Sequence, residues 1–321
     1  METEAWVGKQ GGLAAALVVL LVLVFAQWMA PSLAEAQNAG APQPTTEPPP
    51  GYAGSEACIE CHKDPAATFA KTVHHKLFLK HPRTDKERLG CEACHGPGLA
   101  HGEAEGKTLD GLKTFGKKSP LSVAEQNAIC LECHQKTARL YWQGGPHESR
   151  DLACTDCHKI MEAVSERRQL AKATVIETCS QCHIQRRAQL MRSSHMPLRE
   201  GKMDCVSCHN PHGTATEKQL KANSVNEVCY TCHAEKRGPF LWEHPPVTES
   251  CSNCHDPHGS NHEKLLKVAK PRLCQQCHVE SRHPTRPHDP FTRFVFNRSC
   301  TNCHSQIHGS NHPSAAGRFQ R

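Results

Sequence analysis

Every cysteine in this 321-residue chain belongs to one motif. All 20 fall into ten copies of Cys-x-x-Cys-His, among them "CIECH" at 58, "CEACH" at 91, "CTDCH" at 154 and "CTNCH" at 300. A single Cys-x-x-Cys is half of a zinc site or a redox dithiol, but neither use requires histidine as the next residue. A disulfide scaffold would scatter its cysteines at irregular spacings. Ten copies with histidine always in fifth place point to covalent attachment of haem c, in which two thiols form thioethers with the vinyl groups and the histidine ligates iron. The candidate thioether residues are Cys58 and Cys61, Cys91 and Cys94, Cys130 and Cys133, Cys154 and Cys157, Cys179 and Cys182. They continue with Cys205 and Cys208, Cys229 and Cys232, Cys251 and Cys254, Cys274 and Cys277, Cys300 and Cys303. The candidate proximal iron ligands are His62, His95, His134, His158, His183, His209, His233, His255, His278 and His304.

Ten haems explain an otherwise unpromising composition. Aromatic residues make up 5% of the chain and the mean hydropathy is −0.59. That is poor material for a self-sufficient core. With roughly 30 residues per motif, the porphyrins themselves must supply the apolar interior. The formal charge of +6 would ordinarily suggest nucleic acid or an anionic membrane as partner. Here the two propionates of each haem outweigh it, so Lys and Arg serve as propionate and solvent partners, and nucleic-acid binding is not expected.

Residues 1–36 read as a secretory signal. An apolar run, "GGLAAALVVLLVLVFAQWMA" (11–30), is followed by Ala34-x-Ala36, a small-residue cleavage site. Glu2 and Glu4 outnumber Lys9 in the n-region, and the run is long enough to span a bilayer, so an uncleaved anchor is the alternative. Both place the cysteines on the exported side of the membrane, where c-type haem is attached. Residues 37–56, with five prolines between 42 and 50, form a polar extended linker. The haem-bearing domain is then 57–321.

The remaining histidines recur with the motifs. Taken two at a time, the motifs have one histidine 10 to 13 residues beyond the first motif: His74, His147, His195, His244 and His288. Another follows the second motif closely: His101, none in the second pair, then His212, His258 and His308. These nine are candidate distal ligands. The period divides the domain into five two-haem units, roughly 57–128, 129–177, 178–227, 228–272 and 273–321, an array rather than one globular core. Three residues of chain span at most roughly 10 Å, too little to round a porphyrin edge. His212, His258 and His308 must therefore serve haems other than their own motif's, whereas a histidine ten or more residues on has the reach to return to its own. A tenth distal ligand is sought among His262, His312, His75, His81 and His283, with His262 favoured. Methionine is disfavoured, since Met161, Met191, Met196 and Met203 all lie outside the last four motifs. Full histidine ligation leaves no exchangeable iron position, which disfavours catalysis.

Helix signals keep the same register. "TVIETC" (174–179) and "SVNEVC" (224–229) place Ser or Thr three residues before Glu just ahead of a motif, and "SVAEQNAIC" (122–130) does so one turn earlier. These predict capping boxes that start short helices. The fold expected is a multihaem cytochrome c: mostly short α-helices and irregular loops wrapped round a linear array of ten haems, with almost no β-sheet.

The ten motifs after a signal peptide, "CHGPGLAH", the repeated "CHxPHG" and the ending "CTNCHSQIHGSNHP" resemble the DmsE/MtrA family of periplasmic decahaem cytochromes. The resemblance covers essentially the whole mature chain and departs at "CTDCHKIMEAV" (154–164), which lacks the following histidine. It implies an electron carrier rather than an enzyme, located in the periplasm at the outer membrane. It also implies a porin–cytochrome conduit. The partners would be a β-barrel porin, an outer-surface multihaem cytochrome and a periplasmic or inner-membrane donor or acceptor. A freely diffusing periplasmic shuttle and a multihaem reductase are the alternatives; only the reductase requires a five-coordinate haem.

Overall fold

The computed structural model describes residues 48–278 and 299–313. The chain divides into Met1–Pro50, of which only the last three residues are described, and Gly51–Arg321. The 1–36 leader, residues 37–47 of the linker and the candidate ligands His283 and His288 lie outside the described residues. No helix among the described residues is long and apolar enough to cross a membrane.

Gly51–Arg321 is built from short helices and 3-10 turns joined by loops. Its strand-like pairing is limited to isolated bridges, with no sheet among the described residues. The first motif of each pair sits on a helix: α1 (Ser55–Cys61), α2 (Val123–Leu131), α3 (Val175–Cys179), α4 (Val225–Tyr230) and α5 (Arg272–Gln275). The capping signals start three of them. Ser122 and Glu125 close a full box on α2, as do Thr174 and Glu177 on α3. On α4 only half the box forms. Ser224 accepts from the Glu227 amide, but the Glu227 carboxylate accepts from Arg237 at 3.1 Å instead.

A polar clamp joins each of three of these helices to the second motif of its pair. Ser55, Asn127 and Asn226 each stand three residues before the first motif's first cysteine, and each is buried. Their side-chain oxygens accept the backbone N–H of Cys91, Cys154 and Cys251 at 3.1, 2.8 and 2.6 Å. The amides of Asn127 and Asn226 also donate to carbonyls of the incoming chain, Leu152 and Val247. Unit by unit, hydrogen bonds do what apolar packing does in an ordinary domain. Buried Glu92 works the same way, its carboxylate accepting the N–H groups of Ala53, Gly54 and Gly98. These satisfied donors and acceptors make such burial tolerable.

Apolar burial is slight. Among the described residues the buried apolar side chains are Phe69, Ala93, Ile129, Ala153, Leu190 and Leu266. Larger ones stand open, such as Ile184, directly after a motif histidine, at 69% exposure, and Leu241 at 64%. Among the described residues the short segments have no aliphatic centre of their own.

Candidate functional site

The motif cysteines form an unbroken succession. Within a pair, the first cysteines of the two motifs lie side by side. As free thiols, Cys58 is pushed up and Cys91 held down to about 6 by their mutual hydrogen bond. Cys130 with Cys154, and Cys179 with Cys205, behave alike. Cys229 with Cys251 and Cys274 with Cys300 are likewise neighbours. Between pairs the second cysteines approach the next motif: burial and then the charges of Cys130 and Cys133 raise Cys94 to about 11, and Cys157 neighbours Cys182. Cys208 with Cys232, and Cys254 with Cys277, complete the series. From Cys58 to Cys300 each motif has a cysteine that feels the charge of a cysteine in the next.

The histidines face one another in pairs. Ring centroids lie 6.2 Å apart for His62 and His101, 6.0 Å for His74 and His134, and 6.1 Å for His147 and His183. The distance is 6.1 Å for His158 and His212, 6.2 Å for His209 and His258, 6.1 Å for His244 and His278, and 6.2 Å for His255 and His308. Two metal–nitrogen bonds of about 2.0 Å, with about 1.1 Å from each nitrogen to its ring centre, require about 6.2 Å. The gap fits one metal atom between each pair, and each pair includes one motif histidine, so the residues present fit haem iron.

The pairing rule differs in part from the expectation. His212, His258 and His308 face the second-motif histidine of the preceding pair, not that of their own motif. His74, His147 and His244, expected to have the reach to return to their own motifs, instead face the first-motif histidine of the next pair. After His62 the chain continues into the helix Lys63–Phe69, which leads His74 away from its own motif, and 3-10 turns at Thr137–Arg139 and Ala234–Lys236 follow His134 and His233. Among the described residues only His101 turns back within its own pair.

Some candidates are not brought together. His195 Nε2 lies 3.3 Å from Glu200 Oε1 and its buried Nδ1 has no partner. His233 lies 3.5 Å from Glu235, and neither histidine has another imidazole against it among the described residues. His95 meets the Phe115 ring edge-on at 5.5 Å. His262, favoured as a tenth ligand, has no motif histidine ring against it among the described residues. Ser260 pins this stretch, pairing with the Ser194 backbone, donating to the Leu266 carbonyl and accepting the His262 N–H. His262 is left beside Glu263, Lys270 and Ser299.

A ring of main-chain acceptors sets the imidazoles' tautomer and angle. The Nδ1 atoms of His158, His209 and His255 donate to the carbonyls of Arg168, Lys218 and Lys264 at 2.9, 2.9 and 2.7 Å. Each acceptor opens a two-residue turn of positive φ: Arg168–Gln169, Lys218–Gln219 and Lys264–Leu265. Left-handed backbone costs roughly 1–2 kcal/mol per non-glycine residue, a cost that the histidine bond and a bridge one or two residues on (to Leu170, Leu220 and Leu266) help offset. With Nδ1 engaged, Nε2 is free for a metal. His95 and His101 donate likewise to Lys113 and Thr108, and His147 to Pro211. Burial keeps the imidazoles neutral, lowering His134, His183, His244, His258 and His308, and bringing His212 down to about 4. The acceptors escape a motif search because they contribute only a carbonyl; their trace is "RRQL", "EKQL" and "EKLL" nine or ten residues beyond the motif histidine.

The glycine after His212, His258 and His308 is needed for docking between pairs. At Gly259 (φ +134°) a Cβ would land inside contact distance of the Gln189 carbonyl; at Gly213 and Gly309 it would meet the Tyr141 carbonyl and the Phe240 ring. Gly259→Ala is therefore expected to cost about 2–4 kcal/mol and to lower the thermal unfolding midpoint. An unchanged midpoint would show that the loop backs away freely.

Comparison with known proteins agrees with this geometry. A family model described as the doubled CXXCH motif matches residues 195–238 and 244–283, and one described as cytochrome c-type protein NrfB-like matches 91–182. The chain is 44% identical over 272 residues to multiheme cytochrome MtrA of Shewanella baltica, covering 81% of this chain and 80% of that one. It is 28% identical over 148 residues to cytochrome c-type protein NrfB of Haemophilus influenzae, covering 40% of this chain and 64% of that protein. To the high-molecular-weight cytochrome c of Nitratidesulfovibrio vulgaris it is 23% identical over 206 residues, 58% of this chain and 31% of that one. Ten Cys-x-x-Cys-His motifs in mutual contact, imidazoles spaced for iron and a relative alike over most of both lengths lead to one conclusion: the chain belongs to the MtrA family of multihaem c-type cytochromes and carries ten haem c groups.

Proposed function

We propose that the protein carries electrons between periplasmic partners and the cell exterior as the haem-bearing subunit of an outer-membrane porin–cytochrome conduit, without catalysing a reaction itself. The observation that carries this is the unbroken succession of neighbouring motifs from Cys58 to Cys300, with imidazole pairs spaced for iron along it. With each cysteine pair holding a haem, consecutive haems would follow one another along the chain and could hand electrons from one to the next. Five two-haem units, joined first cysteine to first cysteine within and second to second between, account for the alternation.

The ligand assignment follows the ring pairs. His101 serves the iron of His62, His74 that of His134, and His147 that of His183. His212, His258 and His308 serve those of His158, His209 and His255, and His244 that of His278. The same forward step assigns His195 to His233, and the last unit leaves His288 for His304. Irons closed on both faces pass electrons without binding substrate, so the chain needs a donor at one end and an acceptor at the other. The family supplies a β-barrel porin as insulator and an outer-surface multihaem cytochrome beyond it, with a periplasmic or inner-membrane partner on the near side.

Vesicles holding a sealed-in electron acceptor and bearing the protein with its barrel are expected to conduct from an external reductant, while either component alone does not. Silent vesicles, with the protein wholly soluble and monomeric in periplasmic extract, would replace the conduit by a diffusing shuttle.

A further inference from the structure

One haem differs from the rest: we infer that the haem on Cys91 and Cys94 takes the thioether of Met161 opposite His95. This rests on the ligand assignment above and goes beyond it.

His158, His209 and His255 are the second-motif histidines of successive pairs, and each faces a histidine from the next pair's second motif. That facing residue follows its own motif histidine by three positions in His212 and His258, and by four in His308. One step upstream the corresponding motif histidine is His95, and three positions after His158 stands Met161.

The backbone puts Met161 in the same setting. Lys159 N donates to Gln169 O at 2.8 Å, as Asn210 N does to Gln219 O at 2.9 Å and Asp256 N to Leu265 O at 2.8 Å. The residue just before the facing ligand also contacts the preceding pair in the same way. The Pro211 carbonyl, before His212, accepts from His147 at 2.7 Å, and the Ile307 carbonyl, before His308, lies near His244. The Ile160 carbonyl, before Met161, accepts from Gln169 Nε2 at 3.3 Å, and Gln169 Oε1 lies 2.6 Å from His74 Nδ1. The loop thus meets His74 through one side-chain amide instead of directly, and it is one residue longer than its counterparts: ten residues separate His158 from Arg168, against nine from His209 to Lys218 and from His255 to Lys264.

The rest of the site is consistent. His95 Nδ1 is engaged by the Lys113 carbonyl, leaving Nε2 for iron. Phe115 meets its ring edge-on and forms a side wall, not an opposing ligand. Met161 is 40% exposed and unencumbered by a core, and its flexible thioether is a haem-iron ligand in its own right. Axial methionine raises a haem's potential, so this haem, second along the chain, accepts an electron ahead of its bis-histidine neighbours.

The test is near-infrared magnetic circular dichroism of the oxidised ten-haem protein, with haem content measured in parallel. The wild type is expected to show the sulfur-to-iron charge-transfer band of one methionine-ligated haem per chain. Met161→His should abolish the band, keep every haem low-spin and move one step of the redox titration to lower potential. Met161→Ala should abolish it and leave one haem high-spin. Ten haems with no such band in the wild type would overturn the proposal. So would a high-spin haem arising from His75→Ala or His81→Ala and not from Met161→Ala. A haem content well below ten would instead overturn the attachment scheme beneath it.

Discussion

Made in a host that cannot attach haem, the chain is expected to remain unfolded, with no cooperative thermal transition and no protected amides, whereas the ten-haem protein melts cooperatively. Its buried apolar side chains among the described residues are six, two of them alanines. The larger of them stabilise by about 1.5–3 kcal/mol each, against a backbone ordering cost of about 1–2 kcal/mol for every residue. The polar clamps at Ser55, Asn127 and Asn226 cannot close that gap, because a typical hydrogen bond contributes only about 0.5–1.5 kcal/mol net. Apolar porphyrin faces, iron–imidazole bonds and covalent cross-links must supply the remainder, as metal does in domains that fold only when loaded. Circular dichroism and hydrogen exchange on the haem-free chain check this. A native-like, cooperatively melting haem-free protein would show that the shell is self-sufficient.

His258→Ala is expected to convert one haem of the ten from low-spin to high-spin, and that haem is the one on Cys205 and Cys208. The His258 ring stands 6.2 Å from His209, while its own motif's His255 faces His308. Removing the imidazole opens an axial position two motifs upstream and leaves the haem on Cys251 and Cys254 fully ligated. His258→Met should raise the potential of that same upstream haem. Assigned paramagnetic NMR, with spin state from resonance Raman, distinguishes the two haems. A change at the haem on Cys251 and Cys254 would mean that the paired rings do not share an iron. Because the ligand comes from the following pair, its loss is also expected to loosen the junction between pairs, which Ser194 and Ser260 hold by two backbone bonds of 2.9 and 2.7 Å.

Several features were legible in the residues alone. Ten motifs that account for all 20 cysteines determined the cofactor and its number, because no other chemistry demands histidine in that place every time. Sparse aromatic and apolar content determined that the chain wraps its cofactors, and the Ser/Thr-x-x-Glu signals located the starts of α2, α3 and α4, since capping is local to one helical turn. A span limit of three residues determined that His258 cannot serve its own motif's iron. What distance along the chain left open was the direction in which longer connections run. His74, His147 and His244 had the length to turn back, and the packing of the segments after their motifs sent them forward instead. The half-box at Ser224 has the same kind of cause: Arg237, ten residues away in sequence, claims the Glu227 carboxylate. The carbonyl acceptors at Arg168, Lys218 and Lys264 and the close approaches at Gly213, Gly259 and Gly309 depend on backbone atoms that every residue possesses, so residue type marks them only faintly. Local chemistry, being carried by side-chain type and short spacing, was written in the sequence; which iron each imidazole meets depends on where separate segments pack, and only the tertiary structure decided it.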